Sequence, residues 1–544
     1  MTKEHSFCIL PQVMPKISYE QLLKFPLYTY PLLSGFLLIL AWPPSSLGYI
    51  SFIAFVPILF LFEVIQNDNK KRKGFRLFTH TYVALLIWNI GSTWWVYNST
   101  AAGGIFAMTV NALFMCVPLM FSYLVRKKST EGIGLLSFII FYLAFEYWHL
   151  NWQLAWPWLT LGNVFASNTL LVQWYEYSGA LGGSLWILLV NVLIYSLIKY
   201  STTKSLRIIT ASVIALPIII SGILYISYAE IGAELEVVVV QPNIDPYTEK
   251  FKTSTHAIPY EIQLQRMLQL SEKARTPETK FILWPETALP SDINEEFILQ
   301  HPFVQQLIAY SVKNKVSILT GIDSHRFMDE FHKTSTAKKS AIGSHYYDMY
   351  NAALIINPDS SLEIYHKSRM VPGVESLPYP KIFGFVTSNL GNIVQTIGKD
   401  SIARALSNPN GITVSPVICY ESIFGEYVSD FTKNGSNFIG IITNDGWWGN
   451  TDGHKQHFEY ARLRAIEQRR SVARSANTGI SGFIDQKGNV LQKNTYWIQD
   501  ALVQKIKLNN TETFYTKNGD LIGLIALIFS PLLFVYSFFI KKYV

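Results

Sequence analysis

Apolar residues come in long runs through the first part of the chain and in short blocks separated by polar turns through most of the rest. Largely apolar sequence covers about 28–42, 46–65, 80–97, 104–125, 132–150, 179–198 and 207–228, and a further run, 519–540, lies near the end. Most approach the ~20 residues a helix needs to cross the hydrocarbon core of a bilayer. The first is short and ends in Trp42-Pro43-Pro44. The pattern predicts a membrane domain over 1–228 with about seven spanning helices. It predicts an eighth span, followed by a basic tail, over 519–544.

Residues 229–518 have a different rhythm. Glu236–Gln241, Phe281–Trp284, Val316–Thr320, 412–418, 437–443 and 480–484 have the β-branched character and the turn-residue borders of strands. Ala352–Ile356 and Leu362–His366, joined by Asn357-Pro-Asp-Ser-Ser361, read as a hairpin. Helical spacing appears over 256–275 and about 295–314. Strands alternating with helices predict a layered α/β domain, not a bundle or an all-β sandwich.

Charge orients this frame. Hydrophobic residues make up 49% of the chain and charged ones 15%, and the net charge is +7. Lysine and arginine gather in alternate loops: Lys70-Lys71-Arg72-Lys73 with Arg76, then Arg126-Lys127-Lys128, then Lys199, Lys204 and Arg207, and finally Lys541-Lys542. The loops at 43–45, 98–103 and 151–178 contain neither residue. Because cytoplasmic loops accumulate Lys and Arg, the N-terminus and the basic tail are expected inside the cell and 229–518 outside the cytoplasm. Basic clusters on alternate membrane loops do not form a nucleic-acid-binding surface. The first apolar run starts late and is followed by more spans, so no cleavable signal peptide is expected. Of the three cysteines, Cys8 and Cys116 lie in or near the membrane region, which leaves Cys419 without a disulfide partner in the outer domain.

Candidate chemistry stands where strands end. Cys419 follows the apolar stretch Ile412–Ile418 and enters the polar turn Tyr420-Glu421-Ser422. Glu286 follows Trp284-Pro285, where proline stops a strand, and Lys367 ends the hairpin in Tyr365-His366-Lys367-Ser368-Arg369. A thiol, a carboxylate and an ammonium at strand ends are what nucleophilic acyl chemistry uses. The carboxylate takes the thiol proton, and the ammonium holds the negative charge that develops on the attacked carbonyl. His454 and His457 are three residues apart, but no further ligands stand at metal spacing, so no metal is expected. Glu146 in the fifth apolar run is costly to bury in lipid, and is either functional or close to the interface.

In this order the three motifs resemble the Glu-Lys-Cys triad of the nitrilase, or carbon–nitrogen hydrolase, superfamily. The resemblance extends to Asn444-Asp445-Gly446-Trp447-Trp448-Gly449 and to the helical segment from Gln456-His457-Phe458 to Arg464-Ala465-Ile466-Glu467. With seven spans before the domain and one after it, the chain is similar to the apolipoprotein N-acyltransferase branch. That resemblance implies a membrane α-helical bundle of about eight spans plus an exocytoplasmic α-β-β-α sandwich, in the bacterial cytoplasmic (inner) membrane. It implies a phospholipid acyl donor, a Cys419 thioester, a diacylglyceryl-lipoprotein acceptor, no cofactor and a monomer. Glu375 is then the second glutamate, in Val371-Pro372-Gly373-Val374-Glu375 where the family usually has Val-Pro-Phe-Gly-Glu. Tyr420 and Glu421 take supporting roles beside the nucleophile. Phe251 stands where the family tends to place a tryptophan, and Trp447 is a further substrate or lid candidate. Segment 376–411, with Phe383 and Phe385, is the expected apolar lid over a water-sensitive thioester. A membrane-tethered amidase would use the same triad. A transporter or scaffold with an inert outer domain is the alternative from another class.

Overall fold

The computed structural model describes residues 18–200, 203–340, 343, 345–381 and 396–539. All eight apolar runs contain helices. Among the described residues six helices are long and apolar enough to cross a membrane: Gly48–Asn67, Ala101–Lys128, Glu131–Leu150, Tyr175–Lys199, Lys204–Ser227 and Leu521–Phe539. The first run forms the 13-residue helix Thr29–Ala41, which at 1.5 Å per residue extends only about 20 Å. The third run spans the end of helix Lys73–Thr93, whose first turn is basic, and reaches the short helix Val96–Ser99. Arg126 and Lys199, from two of the basic loop regions, fold back onto Glu63 at 2.9 and 2.8 Å, so that buried carboxylate has cationic partners.

Among the described residues the domain that follows is built on two sheets. The strands are β1 (Glu234–Gln241), β2 (Thr279–Leu283), β3 (Leu289–Asn294), β4 (Ser317–Met328), β5 (Lys338–Lys339), β6 (Tyr346–Ile356), β7 (Leu362–His366), β8 (Leu406–Ser407), β9 (Thr413–Ile418), β10 (Phe438–Thr443), β11 (Val472–Ala476), β12 (Gly482–Ile484), β13 (Val490–Lys493) and β14 (Asp500–Lys507). The first sheet runs β14-β1-β2-β4-β6-β5, with β3 beside β4 and β7 beside β6; the second runs β13-β12-β11-β10-β9-β8. Alternation along β1 explains the layers. Val237 and Val239 join the core shared with the second sheet, whereas Val238 and Val240 pack with Leu264, Met267, Phe303 and Leu307 from helices Tyr260–Ala274 and Pro302–Asn314. Between the sheets the Phe281 and Phe438 rings meet edge to face at 5.5 Å. Gly440 keeps this approach close, because a Cβ there would fall 2.7 Å from Val414 and 3.1 Å from Leu319. Helices Gly425–Lys433 and Asp452–Gln468 pack with the second sheet, which completes the expected α-β-β-α layering.

Strand direction gathers the motifs. β1, β2 and β4 are parallel, and two successive antiparallel pairings, β4 with β6 and β6 with β7, return β7 to their direction. β9, β10 and β11 are parallel in the second sheet. Glu286, Lys367 and Cys419 therefore all follow the carboxyl ends of strands, where α/β sheets place their ligand sites.

Two elements differ from the sequence pattern. The helix expected over about 295–314 is broken into a 3₁₀ turn, Glu295–Gln300, and the helix Pro302–Asn314. His301 precedes Pro302 and is driven into extended backbone. The segment 151–178 is not a simple loop. It forms 3₁₀ turns at Pro157–Leu159, Leu161–Phe165 and Thr169–Leu171, much of it buried beneath the helix Asp452–Gln468. There Trp158 donates to Gln456 (2.6 Å), Gln456 donates to the Pro43 carbonyl (2.8 Å), and Tyr460 donates to the Trp158 carbonyl (2.9 Å).

Candidate active site

Cys419 sits on the first residue after β9 with φ at +49°. For a residue with a Cβ this left-handed conformation is strained and needs support from its surroundings. Glu421 supplies it. Its Oε2 accepts from the Ile418 N–H (2.9 Å), and its Oε1 accepts from Tyr365 Oη (2.6 Å) and from the Ser368 and Arg369 N–H groups (2.7 and 3.2 Å). One carboxylate thus ties the Cys419 turn to the hairpin end that carries Lys367. Burial nevertheless raises the Glu421 carboxyl to about 7 against these donors.

Glu286 approaches from the other side. Its carboxylate accepts from Asn351 Nδ2 (2.8 Å) and Lys367 Nζ (3.2 Å), and Lys367 also donates to Glu375 (2.7 Å). Asn351 bridges to Glu375 as well, at 3.1 Å, and Glu375 Oε2 accepts from the Val371 N–H at 2.9 Å. The altered motif therefore still delivers its carboxylate. Lys367 is almost wholly buried. Burial opposes its charge, but Glu375 and Glu286 hold the ammonium well above the usual lysine range. Burial and the Glu286 charge push the Cys419 thiol up while Lys367 pulls it down. A thiol in this state needs a base before it can attack. The turn that carries Glu286 is tight: Thr287 has φ at +48°, and a Cβ on Gly321 would lie 2.4 Å from the Thr287 nitrogen.

The remaining sequence-derived residues separate. Tyr420 points toward the membrane domain and donates to the Ala155 carbonyl at 2.8 Å. Trp447 meets the edge of Tyr247 at 5.0 Å. Phe251 follows Lys250, whose Nζ is 6.0 Å from its ring centre. Phe383 and Phe385 lie outside the described residues. The described flanks of their segment are tied down: the Tyr379 N–H donates to Gln153 (2.7 Å), and the Ile397 N–H donates to the Glu375 carbonyl (3.2 Å). Among the described residues no group of three or more His, Cys, Asp or Glu side chains forms a metal site. His454 instead stacks on Tyr496 at 4.2 Å.

Several residues escaped the sequence reading. Asn351 shows no motif; it lies on β6, paired with Asp323 of β4, and from there reaches both glutamates. Behind Cys419, His457 Nε2 donates to the Cys419 carbonyl (3.1 Å) and its Nδ1 meets Asp445 (2.9 Å), whose other oxygen accepts from Arg474 (2.8 Å). Burial works against the charge, yet Arg474 and His457 hold Asp445 well below the usual carboxylate range. The Asn444-Asp445-Gly446 turn and the Gln456-His457 pair were signals in the sequence that could have pointed to this support.

Comparison with known proteins accords with this geometry. Residues 239–515 match the carbon–nitrogen hydrolase family, and residues 34–193 match the apolipoprotein N-acyltransferase N-terminal domain. A solved carbon–nitrogen hydrolase from Helicobacter pylori aligns over 53% of this chain and 94% of its own, at 15% identity and a TM-score of 0.36. By the family match, the domain over 239–515 is of the carbon–nitrogen hydrolase class. An apolipoprotein N-acyltransferase from Chlorobaculum tepidum is 30% identical over 93% of this chain and 96% of its own, and one from Geobacter metallireducens is 27% identical over 91% and 92%. The chain belongs to the apolipoprotein N-acyltransferase family.

Proposed function

We propose that this protein transfers an acyl chain from a phospholipid to the N-terminal amine of a diacylglyceryl-lipoprotein by way of a thioester on Cys419. Glu286 takes the proton from the thiol, and Sγ attacks the carbonyl carbon of the phospholipid ester. Lys367, with backbone N–H groups, holds the tetrahedral oxyanion. The C–O bond breaks, Glu286 returns the proton to the departing lysophospholipid oxygen, and the acyl group stays on sulfur. The lipoprotein amine then attacks the thioester, Glu286 or Glu375 accepts its proton, and the C–S bond breaks to give the amide and free Cys419.

One observation favours lipid substrates over a small amide from the aqueous side. Tyr420, the neighbour of the nucleophile, is bonded to Ala155 in the buried segment of the membrane domain, so the reaction centre adjoins the layer where both lipids reside. In this reading 1–228 is the membrane domain, 229–518 the catalytic domain on the exocytoplasmic face of the cytoplasmic membrane, and 519–544 the return span. The enzyme works as a monomer with segment 376–411 as its cover.

Intact-mass measurement of the purified protein after exposure to phospholipid alone tests the reading. The wild type is expected to gain one acyl mass that hydroxylamine removes, and Cys419→Ala to gain none. Acylation that survives in Cys419→Ala removes this nucleophile.

A further inference from the structure

Lys250 is a buried cation beside Glu286 that the acyl-transfer scheme does not use. It is 2% exposed. Its Nζ donates to the Glu286 carbonyl (3.1 Å) and to Thr287 Oγ1 (2.8 Å), so both contacts fall on the left-handed turn that presents the Glu286 carboxylate. Its own backbone is clamped. The Lys250 N–H donates to the Asp245 carbonyl (3.0 Å), and the Lys250 carbonyl accepts from Gln263 Nε2 (2.8 Å). The same loop reaches the membrane domain through Tyr247, whose hydroxyl lies 3.0 Å from the Asn98 carbonyl and 2.9 Å from the Trp447 carbonyl.

A charge this deeply buried needs compensation. Asp323, on β4 opposite Asn351, carries a charge that favours the ammonium. Burial draws the Lys250 ammonium down while Asp323 and Glu286 oppose the shift. Burial pushes the Asp323 carboxyl up, with Lys250 pulling the other way and Glu286, Asp292 and Glu375 adding to the rise. The groups set around the Glu286 carboxylate are therefore Lys367 after β7, Glu375 in the following turn, Cys419 after β9, Lys250 from the loop after β1 and Asp323 from β4.

We propose that Lys250 is a positioning residue for Glu286: it pins the turn that aims the carboxylate and, balanced by Asp323, sets the electrostatic potential in which that carboxylate accepts the thiol proton. This rests on the reading of Glu286 as the base. A positive charge favours the ionised carboxylate and a negative one disfavours it, so the two partners act in opposite directions.

The test is the pH dependence of Cys419 alkylation by iodoacetamide, measured on the full-length protein in detergent micelles. Lys250→Met is expected to move the acidic limb of the profile up by on the order of one pH unit, and Asp323→Asn to move it down. Lys250→Arg should keep it near the wild-type position, and the Lys250→Met/Asp323→Asn double variant should return it toward that position. Limbs that stay in place while rates fall, or that move in the same direction in both single variants, overturn the proposal and leave Lys250 a packing residue. Should Lys250→Met fail to fold, Asp323→Asn alone decides: a limb that does not move down overturns the proposal. Alkylation needs no phospholipid, so the two readings separate. Opposite shifts without an acyl adduct uphold the role of Lys250 and remove the phospholipid donor. An acyl adduct without such shifts does the reverse.

Discussion

Glu286 and Glu421 are both buried carboxylates flanking the Cys419 turn, and their partners differ in kind. Glu421 takes four donors, three of them backbone N–H groups, and spends both oxygens on holding two chain segments together. Glu286 meets the Asn351 amide and the Lys367 ammonium, both at Oε1, within a cluster that Glu375 shares. Backbone donors cannot move without the fold, whereas a lysine shared between two carboxylates can redistribute its bonds when a substrate oxygen arrives. The difference separates a carboxylate that shapes the site from one equipped to exchange a proton there.

The contrast can be broken most directly at the reactive side. Glu286→Gln keeps the shape and removes the base proposed for the thiol, and Lys367→Met removes the cation proposed to hold the oxyanion. Each is expected to slow thioester formation ~10²–10³-fold or more in a mass-spectrometric time course. Near-normal acylation in either variant removes that residue from the triad.

On the scaffolding side, Glu421→Gln turns an acceptor of four bonds into a group with an N–H₂ that faces some of the same donors. A stability loss of about 1–3 kcal/mol is expected in thermal melts, larger than that of Glu286→Gln. If Glu286→Gln proves the more destabilising change and Glu421→Gln the more damaging to the rate, the assignment of the two glutamates is inverted.

A smaller effect sharpens the picture at the hairpin. His366, next to Lys367, lies between Glu295 (2.7 Å) and Asp400 (3.0 Å). Burial opposes its charge, but Asp400 and Glu295 raise it to about 9. A histidine raised in the folded state contributes stability that is complete below its unfolded value near 6.5 and is lost as pH rises through about 9. Because Asp400 is partly exposed, about 1–2 kcal/mol is expected to disappear between pH 7 and pH 10. Melts of the wild type should show this loss and melts of His366→Gln should not; equal losses would release the segment after residue 396 from this anchor.

Much of this architecture could be read along the chain. The apolar runs became helices because length and hydrophobicity are local properties, and the Glu286, Lys367 and Cys419 motifs ended strands because prolines and polar turn residues interrupt apolar blocks where they stand. Strands β11 and β14 were less legible. Buried Arg474 breaks the apolar pattern of β11, and β14 acquires its place by pairing with β1. The helix that divided at His301 carried its own signal in Pro302.

By itself the sequence determined the membrane character, the α/β domain over 229–518 and the three side chains offered for acyl chemistry. Only the tertiary structure decided their company: Asn351 on Glu286 across 65 residues, Lys367 on Glu286 across 81, Tyr420 on Ala155 across 265, and Lys250 on the Glu286 turn. The reason is one of range. Hydrophobic periodicity and turn propensity act between neighbours along the chain, whereas hydrogen bonds and buried charges act through space and exist only once the sheets have brought distant strand ends together.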